Sequence, residues 1–174
     1  MAEYHDNEWG VPVQEDQALF EHLMLDAFQA GLSWRLILSK REAFREAFSD
    51  FDPDLIGQYQ ERDIQRLLKH EGIVRNEAKI RAVIHNAQIV PQIREEFGSF
   101  SAYIWSFVDG QTMRGRRADS WEEVPTTSPE AEAMAQDMKA RGFKFVGPTV
   151  CYAFMQAVGM VDDHQVGCFR YQGE

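Results

Sequence analysis

Apolar side chains recur along this chain at helical intervals, and no stretch alternates as a half-buried strand does. Asp16 can cap a helix from Gln17 to about Ala30, with Leu19, Phe20, Leu23, Met24 and Ala27 on one face and Asp26 on a different flank near its end. Gly31 stops it, and Ser33 can cap the next, which runs to about Phe48 through Trp34, Ile37, Leu38 and Phe44. Asp52-Pro53 supplies a cap and first turn for a short helix through Tyr59. Two further patterns, at about 61–70 and 76–89, carry Leu67 and Leu68, then Ile80, Val83, Ile84 and Ala87. Only Glu71 to Arg75 separate them, which leaves room for a hairpin. Gly72 is expected to end the first helix in a left-handed conformation, Asn76 to cap the second, and Pro91 to end or kink it. Ser99 opens a helix through Phe107 that stops at Asp109-Gly110; Ser128-Pro129 opens one to about Arg141, closed by Gly142; Gly147-Pro148 leads the last, with Val150, Cys151, Phe154, Met155 and Val158 on its face. Met1 to Pro12 has no period and reads as an extended arm with Tyr4 and Trp9 embedded, and residues 111–127 read as an irregular connection. The expected fold is all-α, one domain over residues 1–174 with about eight helices.

Composition narrows the class. A chain of 174 residues with 44% hydrophobic content can bury a full core, and its two cysteines, Cys151 and Cys168, are too few for a disulfide scaffold and point to a reducing compartment. With no signal peptide and no uncharged run of spanning length, the expectation is a cytoplasmic protein without membrane association. The net charge of -10 opposes nucleic acid binding until its distribution is counted. Residues 1–60 hold 4 basic and 12 acidic side chains, 61–117 hold 10 and 7, and 118–174 hold 4 and 9. Only the middle third can form a basic surface, and it contains the hairpin.

Four constellations carry possible chemistry. The hairpin presents backbone N–H groups at a helix start, with Arg75, Lys79 and Arg81 close by; it can anchor a phosphate, or be two packed helices with a solvated end. Arg114, Arg116 and Arg117 in the long connection offer a second phosphate contact or plain solvated surface. Tyr4, Trp9, Trp34 and Asp26 suit a flat, cationic ligand if the arm crosses the end of the first long helix; otherwise the tryptophans are core. His164 and Cys168, four apart, fit one side of a helical turn and a pair of zinc ligands, with His5 the best further donor; alternatively they are a tail histidine and an ordinary thiol. Cys151, in an apolar face, reads as core. Phosphate-binding glycine loops, HExxH and a nucleophile-elbow serine are absent.

The segments YHDNEWGVP (Tyr4 to Pro12), QAGLSW (Gln29 to Trp34), GIVR (Gly72 to Arg75) with Lys79-Ile80, RGFKFVG (Arg141 to Gly147) with Cys151-Tyr152, and Asp163-His164 with Val166-Gly167-Cys168 follow one another in a familiar order. Over essentially the whole chain the sequence resembles the bacterial DNA-3-methyladenine glycosylase I family. The resemblance implies a helix-hairpin-helix DNA glycosylase fold, with the hairpin at 61–89 and a zinc-binding snap joining the termini. It implies a monofunctional enzyme, no lysine standing where a nucleophile would, that flips 3-methyladenine out of damaged double-stranded DNA and hydrolyses its N-glycosidic bond. Tyr4, Trp9 and Trp34 would hold the base and Asp26 would recognise it and stabilise charge on the sugar. Gly72, Ile73, Val74, Arg75 and Lys79 would grip the DNA backbone, and His5, His164 and Cys168 would be three ligands of a structural zinc, the protein acting as a monomer. The family's fourth ligand, a cysteine, and a further pocket tryptophan fall ahead of Met1; either the natural chain starts further upstream, or water or Glu3 completes the coordination here. Asp26 stands where the family has glutamate, and Phe28 where it has a smaller polar residue, so an altered pocket wall is expected. The rival readings are a glycosylase for another damaged base, or a DNA-binding or protein-binding module without excision.

Overall fold

The computed structural model describes residues 1–115, 118 and 120–171. Among them are ten α-helices: α1 (Ala2–Asn7), α2 (Asp16–Gln29), α3 (Trp34–Ser39), α4 (Arg41–Ala47), α5 (Pro53–Ile56), α6 (Glu61–Leu68), α7 (Glu77–Phe97), α8 (Phe100–Ser106), α9 (Pro129–Ala140) and α10 (Pro148–Ala157). The fold is all-α, as expected. The strand content is one parallel two-residue pair, β1 (Met113–Arg114) with β2 (Val161–Asp162), which the helical reading left out and which fixes the tail to the long connection.

The organising element is α2, which packs on α3, α7, α8 and α10. One apolar face was expected on it, but Leu25 and Phe28 are as buried as Leu19, Phe20, Leu23 and Met24, so the helix is apolar almost all round. That is why a carboxylate near its end cannot reach solvent. Phe28 does not line the pocket; it packs in a cluster with Phe44, 4.7 Å between centroids, and Phe48. Glu15, not Asp16, caps α2, accepting from the N–H groups of Gln17 and Ala18. Asp16 instead accepts from the backbone of Phe100 and Ser101 and from Arg94, so it serves α8 across the core.

Other departures have local causes. The helix expected from Ser33 to Phe48 breaks at Lys40 into α3 and α4. The Lys40 amine there donates to the Gly72 carbonyl at 3.2 Å. The second hairpin helix neither ends nor breaks at Pro91: it runs through to Phe97, with Ile89, Val90 and Ile93 buried while the proline ring lies on the exposed side. Gly72 is absent from the left-handed glycines, and α6 is closed by Lys69 in a right-handed conformation. A glycine is required there by space: a Cβ would lie 2.7 Å from that of Ala43. The arm expected to be extended starts as α1, after which Gly10 and Val13 donate to the carbonyls of Gln156 and Val158 and lay the chain across α10. Gly10 sits at φ 75°, where a Cβ would be 2.6 Å from Cε1 of His164. No helix among the described residues is long and apolar enough to cross a membrane.

Candidate active site and metal cluster

A cavity of about 200 Å3 lies where α1, α2, α3 and α10 meet, lined by Tyr4, Trp9, Asp26, Gln29, Trp34, Ala153, Gln156 and Ala157. It brings together all four residues expected to contact a base. Asp26, Gln29 and Ala153 also bound a second hollow of about 250 Å3 that opens past Gly31 and Leu32. The rings of Tyr4 and Trp34 are 5.5 Å apart between centroids and tilted by 51°, forming an open V. Tyr4 is held by α1, which is itself held by the pairing of the Glu8 carboxylate with the Arg41 guanidinium of α4. Trp34 is the first residue of α3, fixed by the Ser33 hydroxyl accepting from the Leu36 N–H.

Asp26 is 4% exposed, and its Oδ2 is buried without a hydrogen-bond partner. Burial alone holds its carboxyl well above the usual aspartate range. Nε1 of Trp34 is likewise buried without a partner. One acceptor and one donor left unanswered in the same aromatic cavity are costly to a free protein and useful to a polar, flat ligand. The Tyr4 phenol is raised by desolvation first and then by the neighbouring carboxylates of Asp26 and Glu8, so it remains a hydroxyl.

Beside this cavity, Nε2 of His5, Nε2 or Nδ1 of His164 and Sγ of Cys168 lie within 4.8 Å of one another. The expected helical turn from His164 to Cys168 is not formed; a sequence of turns after β2 brings them together. Each histidine has a carboxylate on its Nδ1: Asp6 at 2.8 Å from His5 and Asp162 at 2.6 Å from His164. That leaves Nε2 of His5 facing Sγ of Cys168 at 3.4 Å, and Nε2 of His164 buried with no partner. Carboxylate-backed imidazoles facing a thiol are a donor set that fits zinc. Cys151 is a different case: burial pushes its thiol up to about 12, as befits a core residue.

At the hairpin the structure redistributes the expected contacts. Lys79 does not face outward; its amine donates at 2.7 Å to both the Phe28 and Ala30 carbonyls at the C-terminus of α2. The N–H groups of Gly72 and Ile73 are engaged with His70, through its Nδ1 and its carbonyl. Arg81 is paired with Glu61 and Glu77. Arg75 is exposed and, among the described residues, has no ionic partner; the N–H groups of Val74 and Arg75 are similarly open. In the long connection Arg114 is exposed, while Arg116 and Arg117 lie outside the described residues.

The model of the methyladenine glycosylase family matches residues 1–171. DNA-3-methyladenine glycosylase 1 of Escherichia coli (strain K12) is 46% identical over 170 residues, covering 98% of this chain and 90% of that protein. The chain belongs to the methyladenine glycosylase family. A crystal structure of a 3-methyladenine DNA glycosylase I, 48% identical, superposes with a TM-score of 0.94 and covers 98% of this chain and 93% of that one. A Staphylococcus aureus 3-methyladenine DNA glycosylase I, from a structure concerned with 3-methyladenine recognition, is 38% identical with a TM-score of 0.92, covering 96% and 88%.

Within this methyladenine glycosylase family member, several site residues went unread in the sequence. Gln156 and Gln29 line the cavity, Leu32 stands 38% exposed on the adjoining hollow, and Asp6 and Asp162 back the two histidines. Placement within two residues of a histidine is a signal for the two aspartates. An exposed leucine between glycine and serine, Gly31-Leu32-Ser33, is a signal for the third. For Gln156 the only trace is one polar residue beside the apolar face of the last helix.

Proposed function

We propose that this protein is a monofunctional DNA glycosylase that removes 3-methyladenine from alkylated double-stranded DNA. The observation that carries the reading is the cavity itself: two aromatic rings and one buried carboxyl with an unanswered oxygen, in a chain whose relatives bear that lesion's name. A nucleotide turned out of the duplex enters between Tyr4 and Trp34, and the exposed Leu32 fills the gap it leaves in the stack. N3-methylation makes the purine cationic, so a desolvated carboxylate at Asp26 gains by pairing with it. The C1′–N9 bond breaks with its electrons passing to the purine, which leaves neutral; water adds at C1′ and gives up a proton. Asp26 also opposes the positive charge that grows on the sugar. Arg75 and the open N–H groups at Val74 and Arg75 supply the backbone grip.

His5, His164 and Cys168 are proposed to hold a structural zinc ion, whose chemistry here is to cross-link α1 to the tail. Base release from DNA carrying defined lesions tests the whole reading. Release of 3-methyladenine, lost or reduced by at least about a hundred-fold in Asp26→Ala (about 2.7 kcal/mol of barrier), is expected. Release only of some other base, or DNA binding with no release at all, refutes it.

A further inference from the structure

The cavity has polar groups on two opposed walls. Asp26 comes from α2; from α10 come Ala153, Gln156 and Ala157, which at spacings of three and four share one helical face. The two alanines leave room, and Gln156 is the hydrogen-bonding side chain that α10 contributes to the cavity lining. Its orientation is fixed. Nε2 donates to Oδ2 of Asp163 at 2.8 Å, and the Tyr152 hydroxyl donates to the same oxygen at 2.7 Å. Asp163 is 2% exposed, sits directly after β2, and its other oxygen faces the Cα of Gly115, where a Cβ would be 1.8 Å away. The amide therefore cannot turn over without losing its partner among the described residues and placing oxygen against oxygen. Oε1 is the uncommitted atom: among the described residues nothing donates to it.

We infer that Gln156 is a specificity-determining residue, presenting Oε1 as an acceptor to the exocyclic amine of the extruded purine and opposing purines with a carbonyl there. The inference rests on the reading of this cavity as the base site. Adenine carries a donor at that edge and guanine an acceptor, so the same oxygen attracts one and repels the other. An acceptor held by a buried anchor discriminates well, because it cannot rearrange to suit the wrong partner. Asp163 and Tyr152 act through Gln156 and are positioning residues.

The test is release of 3-methyladenine and 3-methylguanine from the same methylated duplex by the full chain, comparing wild type with Gln156→Ala and Gln156→Met. The methionine variant keeps the side-chain volume and guards against a packing defect. Both variants are expected to lose about ten-fold in kcat/KM on 3-methyladenine, one hydrogen bond's worth, with 3-methylguanine release unchanged or higher. The adenine-to-guanine ratio then falls by ten-fold or more. An equal loss on both bases, or an unchanged ratio in both variants, overturns the role of Gln156 while leaving the base site standing. Wild type that releases neither base overturns the base-site reading and this inference with it.

Discussion

Asp26 is a carboxyl that the fold holds at a cost. Its pKa is raised by burial, so from the ordinary carboxylate range upward the native state keeps a proton that the unfolded chain gives up. Stability contributed at this position is therefore present at low pH and declines as pH rises toward the raised pKa. Asp26→Asn removes that decline: its melting temperature is expected to exceed that of wild type near neutral pH, by about 2–4 °C for each kcal/mol recovered, and to converge with it in acid. The same variant is expected to release base poorly. Thermal melts across pH together with excision rates check both, and a parallel pH profile in wild type and variant refutes the account. The exchange of stability for function at one residue is the usual mark of a site. In the sequence Asp26 is conspicuous for its place near a helix end and for standing where the family has glutamate; what made it costly was Leu25 and Phe28 closing the ring around α2.

Lys79 makes the corresponding point for elements. It joins the first turn of α7 to the last carbonyls of α2, those of Phe28 and Ala30, two and four residues beyond Asp26. Lys79→Met is expected to lower stability by about 2–3 kcal/mol, a fall of roughly 5–10 °C, while the salt dependence of DNA binding stays as it was. Arg75→Ala should do the reverse, leaving the melt alone and reducing the salt slope by about 1. A reduced slope in the lysine variant would return Lys79 to the phosphate contacts first expected of it. The caps were legible because they are local: Ser33, Asp52, Asn76, Ser99 and Ser128 each accept from a backbone N–H two or three residues on. Direction was not legible. Whether a lysine one turn into a helix looks outward or toward another helix's carbonyls depends on which helices become neighbours, and periodicity carries no record of that. For the same reason the aromatic and carboxyl members of the cavity were found, being unusual residue types, and Gln156 was not.

At the scale of the molecule, α1 places Tyr4 in the cavity and His5 in the metal cluster at consecutive positions, and β2 leads into Asp163 and His164 in the same way. With zinc bound as proposed, removing it with a chelator is expected to lower the melting temperature and to weaken excision through loosened base binding, seen as a higher KM before any large change in kcat. Metal analysis of the purified protein and a melt with and without chelator check this; a protein that contains no metal and melts unchanged refutes it. The acidic balance of the whole, -10, leaves attraction for DNA to the small basic district around Arg75, so binding should be weak and fast to reverse. The lysine joint between α7 and α2 then has a consequence for the search along a genome. If the hairpin grips the backbone and the cavity receives the base, as proposed, the Lys79 contacts to the end of α2 hold the two at one spacing, and each step along a duplex is expected to offer the next nucleotide to the same mouth at the same distance. Inspection is then expected to need no rearrangement of the protein, with the time spent at an undamaged site set by how readily the DNA itself gives up a base.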